Sequence, residues 1–220
     1  MNSGVTDCRA CPRLVEWRER VAVEKRAAFV DREYWGRPVP DFGDPEARLL
    51  VVGLAPAAHG ANRTGRMFTG DRSGDPLASL HRTGFANQPA SEGDADALEL
   101  RNCLITASLH CAPPANKPFP EELENCTRWL LPVLARPEIK VVVGLGGIAF
   151  RQVIRVAGRI GWGVPSPRPR FAHSVEMSLA GGPMLVGSYH PSQQNTFTGR
   201  LTEPMLDAVF LRAGQLLEVA

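Results

Sequence analysis

Four runs of apolar residues recur along the chain, and each ends in a loop. The runs cover residues 49–53, 103–109, 139–145 and 183–188. Short, continuous apolar runs bounded by turn residues are typical of strands buried on both faces. Between and around them, the spacing of apolar positions predicts helices at 14–29, 76–83, 120–134, 148–156 and 204–218. This alternation predicts an α/β fold in which a largely parallel sheet has helices on both faces.

The length and composition of the chain fit one domain that covers residues 1–220. With 44% hydrophobic residues, the chain can bury a substantial core, and its net charge of +2 is too small to indicate a polyanionic partner by itself. Charges and cysteines stand at the N-terminus where a signal peptide needs an apolar core, and no apolar run approaches the roughly 20 residues of a membrane span. We therefore expect a cytoplasmic protein without a membrane segment. Structural disulfides are rare in that compartment, so the five cysteines need another explanation.

The loop after the first run, residues 53–75, contains five glycines but neither the GxxxxGK(S/T) nor the GxGxxG fingerprint of nucleotide sites. Glycine lets the backbone approach a ligand closely. Arg63, Arg66 and Arg72 add donors that suit phosphate oxygens. The loop is therefore predicted to bind a ligand, with a long surface loop of basic character as the alternative.

Two further loops follow apolar runs, at 110–116 and 189–202. Because parallel strands end at a common edge, we expect all three loops to meet there, where open α/β sheets bind ligands. The GLGG turn at residues 144–147 fits either phosphate binding at a helix N-terminus or close packing. Cys8 and Cys11 form a CxxC motif that is compatible with redox chemistry, with metal binding or with chance.

Three segments carry a resemblance to a known family: GLAPAAHGANRTGRMFTGD at 53–71, HCAPPAN at 110–116 and SYHPSQQNTFTG at 188–199. In this order they resemble the family 5 uracil-DNA glycosylases, over roughly residues 8 to 202. The resemblance implies a three-layer α/β/α fold around a four-stranded, mainly parallel sheet. It also implies a 4Fe-4S cluster and an enzyme that removes uracil and other deaminated or damaged bases from DNA, leaving an abasic site. We expect a monomer, because a base-flipping enzyme needs one site on one strand.

The resemblance also implies roles for residues around the sheet edge. His190 would donate to a carbonyl oxygen of the departing base, and Asp75 would orient the attacking water or stabilise the cationic sugar, although Asp75 could equally be only a helix N-cap. Phe68 would stack on the extruded base, with a core phenylalanine as the alternative. Further substrate contacts are expected from Ala55, His59, Asn62 and Asn116.

DNA contacts are expected from the three arginines of the first loop and from a second loop that would enter the minor groove and hold the flipped state open. The residues of this second loop are Ser192, Gln193, Gln194, Asn195 and Phe197. At positions where sibling families carry a water activator and a uracil reader, the chain has Leu54, Ala57 and Ala107. These departures agree with the broader substrate range of family 5, which includes hypoxanthine.

For the cluster, the resemblance assigns four ligands: Cys8, Cys11, Cys111 and Cys126. Zinc bound by four thiolates would fit the same residues. Cys103, within the second apolar run, is expected to be a buried free thiol. Two other functions stay open at this point, a DNA-damage-binding module without catalysis and an iron-sulfur redox protein.

Overall fold

The computed structural model describes residues 4–70, 76–93 and 96–219. Its centre is a six-stranded sheet with the strand order β1-β3-β2-β4-β6-β5. The strands are β1 (Phe42–Gly43), β2 (Leu49–Gly53), β3 (Cys103–Ala107), β4 (Val141–Leu145), β5 (Glu176–Ser178) and β6 (Met184–Ser188). The four central strands β3, β2, β4 and β6 are parallel, whereas β1 and β5 pair antiparallel at the two edges.

The mainly parallel sheet is thus confirmed, and its strand number is corrected from four to six. All four apolar runs form strands, and nearly every residue in them is buried. The two additional strands are only two and three residues long. They lie in segments without an apolar run, so the hydrophobic pattern contained no signal for them.

Helices cover both faces of the sheet, which confirms the three layers. The helices are α1 (Pro12–Glu24), α2 (Ala61–Thr64), α3 (Pro76–Arg82), α4 (Pro120–Leu134), α5 (Gly147–Ile160), α6 (Gln193–Phe197) and α7 (Glu203–Glu218). On one face, Leu49 and Val51 share a core cluster with residues of α3 and α7. On the other, Leu50 and Val52 share a second cluster with α4 and α5. Within the described ranges, no helix is long and apolar enough to span a membrane.

Local signals explain where two helices differ from the predicted bounds. The first ends at Glu24 instead of residue 29, because Lys25 adopts a positive φ of 53° and a separate 3-10 turn follows. The helix predicted at 148–156 continues to Ile160 and ends at Gly161, whose φ of 93° is typical of a glycine C-cap. The short helices α2 and α6 lie in segments predicted as loops.

The register brings the functional loops together. Gly53 of β2 is aligned with Ala107 of β3, and Gly144 of β4 with Gly187 of β6. The four parallel strands therefore end almost level. The loops that begin at residues 54, 108, 146 and 189 leave from one edge of the sheet, as the sequence predicts.

Candidate active site and cysteine cavity

His190 follows β6 and packs against the turn that ends β4. Gly146 in that turn has φ 92° and ψ 159°, a conformation that is essentially restricted to glycine. A Cβ at Gly146 would lie 3.0 Å from the His190 Cβ and 3.3 Å from its Cδ2. The Gly146 N–H donates to the Ser188 carbonyl at 2.7 Å. Of the two interpretations of the GLGG turn, this geometry supports close packing, and the element that it packs against is His190.

The short helix α6 holds the backbone of His190. The carbonyl oxygen of His190 accepts hydrogen bonds from the Ser192 N–H and from the Asn195 side-chain amide, both at 2.8 Å. Ser192 also caps α6, because its Oγ accepts from the Asn195 N–H at 3.4 Å. Two of the predicted DNA contacts thus support His190. The exposed residues of α6 are Gln193, Gln194 and Phe197, the last 83% accessible to solvent.

Next to His190, Tyr189 forms a stack that the sequence did not indicate. Its ring lies 5.2 Å from the His173 ring, and the Arg200 guanidinium lies 4.8 Å from its centroid. Burial lowers the pKa of His173. Arg200 is exposed, so this side of the sheet edge carries a cation that no motif had marked.

On the other side of the edge, Phe68 packs at the end of β2. Its backbone has φ 57°, which is unusual for an aromatic residue, and a Cβ on Gly53 would meet the ring edge at 3.5 Å. The ring is half-buried against the core. The loops after β2 and β3 are joined here, because Ser108 Oγ donates to the Gly53 carbonyl at 3.1 Å and the Leu109 N–H to the Leu54 carbonyl at 3.0 Å.

His59 is held by a buried tyrosine. The Tyr34 hydroxyl and His59 Nδ1 are 3.1 Å apart, and the two rings meet edge-on. Burial, with the nearby charges of Arg26 and Arg63, lowers the pKa of His59. His59 is therefore a neutral hydrogen-bonding group at neutral pH. Tyr34 lies in an aromatic loop without a recognisable motif, which is why this pairing could not be predicted.

Arg66 has a structural role in place of the predicted phosphate contact. It is 7% exposed, and its guanidinium pairs with Asp96 and donates to Ser91, Thr69 and the Gly93 carbonyl. Its Nε and Nη2 groups are thus engaged within the protein. Arg66 connects the first loop to the segment that follows α3.

Asn62 requires the same correction. It is fully buried, and its amide donates to the carbonyls of Arg18 and Ala58, both at 3.3 Å. Its amide nitrogen therefore anchors the first loop to α1, while its buried Oδ1 has no hydrogen-bond partner among the described residues. Arg63 is half-buried, and its Nε donates to the His59 carbonyl at 3.0 Å, so it also supports the loop from within.

The remaining predicted contacts differ in how the structure places them. Ala55 is partly exposed in the loop that leaves β2, whereas Asn116 is exposed with a φ of 55° in the loop after β3. Ala107 is buried at the end of β3. Asp75 and Arg72 lie outside the described residues.

The four cysteines of the proposed ligand set line a single cavity. Cys8 and Cys11 precede α1, Cys111 follows β3, and Cys126 lies within α4. Cys103 is fully buried in β3 and does not line this cavity, as expected for a separate free thiol. The rest of the lining is mainly apolar and includes Leu14, Val15, Leu109 and Trp129.

Three of the four sulfurs accept N–H hydrogen bonds. The donors are Arg18 Nη1 to Cys111 at 2.9 Å, the His110 N–H to Cys126 at 3.4 Å and Asn125 Nδ2 to Cys11 at 3.5 Å. Such bonds stabilise thiolates bound to metal. Burial raises the pKa of Cys111 to about 11, so metal binding there must displace a proton. Among the described residues, no group of three or more His, Cys, Asp or Glu side chains is placed to hold a single metal ion.

Comparison with known proteins gives a consistent result. The model of the uracil DNA glycosylase superfamily matches residues 40–213. A type-5 uracil-DNA glycosylase of Mycobacterium bovis is 55% identical over 219 residues, which cover 98% of this chain and 80% of the relative. Those of Thermus thermophilus and Pyrobaculum aerophilum are 49% and 44% identical, covering 96% and 95% of this chain and 94% and 88% of the relatives.

Proposed function

The chain belongs to the uracil DNA glycosylase superfamily, and we propose on this basis that it is a base-excision repair glycosylase that removes uracil from DNA. The reaction breaks the N-glycosyl bond, adds water to the sugar and leaves an abasic site. The observation that carries the proposal is the near-full-length similarity to type-5 uracil-DNA glycosylases, joined to the convergence of His190 and Phe68 at one edge of the sheet. We extend it to other deaminated bases such as hypoxanthine, because a buried alanine, Ala107, stands where a uracil-selective amide would be needed.

His190 would stabilise the departing base. As the bond breaks, negative charge develops on the base, and a fixed N–H donor near a base carbonyl oxygen stabilises that charge more than it stabilises the substrate. A neutral imidazole can provide the donor. Gly146 restricts the side chain from one side, while Ser192 and Asn195 hold the backbone carbonyl of His190. This preorganisation is the main support for a catalytic role.

The other half of the reaction takes place at the sugar. We assign the orientation of the attacking water, or the stabilisation of the cationic sugar, to Asp75, which stands seven residues after Phe68 in the sequence. Phe68 would provide an aromatic face for the extruded base. Its half-buried ring at the end of β2 is compatible with this role, because one part contacts the core and another part is accessible.

Access to a base in duplex DNA requires that the base be flipped, at a cost of a few kcal/mol. Helix α6 and its exposed Phe197 form the projection that we propose to insert beside the flipped nucleotide. Gln193 and Gln194 on the same turn would contact the strand. The basic contribution of the first loop is reduced to Arg63 and Arg72, because Arg66 is engaged within the protein.

We propose that Cys8, Cys11, Cys111 and Cys126 bind a 4Fe-4S cluster, since they line one cavity that contains N–H donors to sulfur. The bound cluster would cross-link the N-terminal segment to β3 and α4, a structural role, because hydrolysis transfers no electrons. Iron, sulfide and zinc analysis of the purified protein distinguishes the cluster from zinc. Cys11→Ser should lose metal and stability, whereas Cys103→Ala should keep the metal. Full metal content and stability in Cys11→Ser would contradict the assignment.

The activity is tested with end-labelled duplexes that carry uracil, hypoxanthine or no lesion, heated in alkali after incubation so that abasic sites break. We expect scission at uracil and a large loss of scission in His190→Ala, with lesion binding retained. Binding without scission by the wild-type protein would refute the enzymatic proposal and indicate a damage-binding module. Wild-type rates in His190→Ala would refute the site.

A further inference from the structure

Arg18 is a buried cation for which the described residues provide little counter-charge. It lies in α1, is 2% exposed and lines the cysteine cavity. Its Nη1 donates to Cys111 Sγ at 2.9 Å and to the Cys8 carbonyl at 3.2 Å. The nearest paired carboxylate, that of Glu19, is 3.8 Å away and 45% exposed. Among the described residues, no acceptor faces its buried Nε.

Such a burial is costly unless a negative charge balances it. An arginine side chain stays protonated in proteins, and removing a guanidinium from water without a partner costs several kcal/mol. Apart from the Glu19 carboxylate, the partners that the described residues provide for the guanidinium are a backbone carbonyl oxygen and the Cys111 sulfur. Four thiolates bound to an iron-sulfur centre provide a balancing charge, because such centres carry a net negative charge that includes their ligands.

We propose that Arg18 is the counter-charge of the centre bound by the four cysteines and that it acts as a positioning residue through Cys111. The inference rests on the proposed cluster and extends it to a residue outside the ligand set. A cation hydrogen-bonded to a ligand sulfur stabilises the reduced, more negative state of the centre, so Arg18 raises its reduction potential. It also tightens iron binding.

The same residue connects the centre to the active-site loop. The Arg18 backbone carbonyl accepts from the buried Asn62 amide at 3.3 Å, and Asn62 also donates to the Ala58 carbonyl, next to His59. Side chain and backbone of Arg18 thus reach the cysteine cavity and the first loop respectively. A displacement of α1 at Arg18 would therefore be transmitted to residues 58 and 59.

Three variants of the metal-loaded protein test the role of the charge. Arg18→Gln removes the charge but keeps an N–H donor, Arg18→Lys keeps the charge, and Arg20→Gln is the matched control because Arg20 is an exposed arginine on the same helix. We expect Arg18→Gln to release iron at about 10- to 100-fold lower chelator concentration, the usual effect of removing an outer-sphere partner. We also expect a lower reduction potential by film voltammetry in Arg18→Gln, a potential near that of wild type in Arg18→Lys and no change in Arg20→Gln.

Equal potentials and equal iron retention in all three variants would overturn the proposal, because a purely packing role affects folding without affecting the potential. If the Arg18 variants do not fold, the wild-type protein labelled with ¹⁵N-arginine decides the question. One guanidinium signal should then be shifted by the paramagnetic centre and protected from solvent exchange, and the absence of such a signal overturns the proposal.

The outcome is distinguishable from that of the proposed activity. A wild-type protein isolated with zinc or without metal would overturn both the cluster and the role of Arg18. A wild-type protein with a full cluster but no uracil excision would overturn the activity alone, and the potentials of the variants would still test Arg18.

Discussion

Replacing Gly146 by alanine tests whether the position of His190 controls catalysis. At φ 92° and ψ 159°, a non-glycine residue costs about 1–3 kcal/mol. The new methyl group would stand 3.0 Å from the His190 Cβ, whereas carbon atoms in contact prefer about 3.5–4.0 Å. His190 must therefore move by roughly 0.5–1 Å. Since a misplacement of about 1 Å costs up to about 100-fold in rate, we expect the excision rate to fall about 10- to 100-fold.

The assay is single-turnover excision from a uracil duplex, with thermal unfolding measured in parallel. Gly161→Ala is the matched control, because Gly161 also has a positive φ, 93°, at the other end of α5, and no heavy atom lies within 4 Å of an added Cβ. We expect this control to lose about 1–2 kcal/mol of stability and to keep its excision rate. A wild-type rate in Gly146→Ala, or an equal loss in Gly161→Ala, would refute the reasoning.

Three further outcomes concern stability and DNA binding. The Arg13 guanidinium donates two hydrogen bonds, at 2.7 and 2.8 Å, to the Glu122 carboxylate between α1 and α4. Glu122→Gln removes the negative charge and one of the two acceptor oxygens, and the free energy of unfolding in urea should fall by about 2 kcal/mol at an unchanged m-value. A hydrogen bond from Arg82 in α3 holds the pKa of Asp207 below its ordinary value. The stabilisation of the folded protein by this pair is therefore present above about pH 4 and is lost as the pH falls further. The stability difference between wild type and Asp207→Asn should accordingly shrink from pH 7 to pH 3, and a constant difference would contradict the pKa shift. Phe197→Ala should lower kcat/KM on duplex DNA by about tenfold and on single strands by less, because only duplex bases must be unstacked. Val23→Ala, at another exposed apolar residue, is the control for Phe197→Ala. Equal losses on duplex and single-stranded DNA in Phe197→Ala would argue against insertion of Phe197 into the duplex.

The sheet was predictable because its central strands are continuous apolar runs, a pattern that few other structures produce. Its edges were not, since β1 and β5 are too short to show a period and are determined by pairing with β3 and β6. The meeting of the loops followed from parallel topology alone. The cysteine set depended on the resemblance, because spacing by itself left zinc and chance open.

Residue type alone does not show whether a polar side chain faces a ligand or is buried inside the protein. Arg66 and Asn62 were assigned to ligands because they stand in a glycine-rich loop, yet both side chains are buried and donate hydrogen bonds inside the protein. Arg18, in contrast, was not predicted to have a role, because it stands in a helix outside the loops that were expected to bind a ligand. It stands four residues after Leu14 and three before Val21, which are buried on the same face of α1, so its position in the apolar stripe was a usable signal.

The cysteine cavity is assembled from distant parts of the chain, and this affects the order of events during synthesis. Cys11 leaves the ribosome 115 residues before Cys126. At about 5–20 residues per second, the first two thiols wait roughly 6 to 23 s for the last one. The complete ligand set exists only after the segment that forms α4 has been made. Insertion of the proposed cluster would thereby be delayed until more than half of the chain has been translated, and the N-terminal pair would be open to oxidants or competing metals throughout that interval.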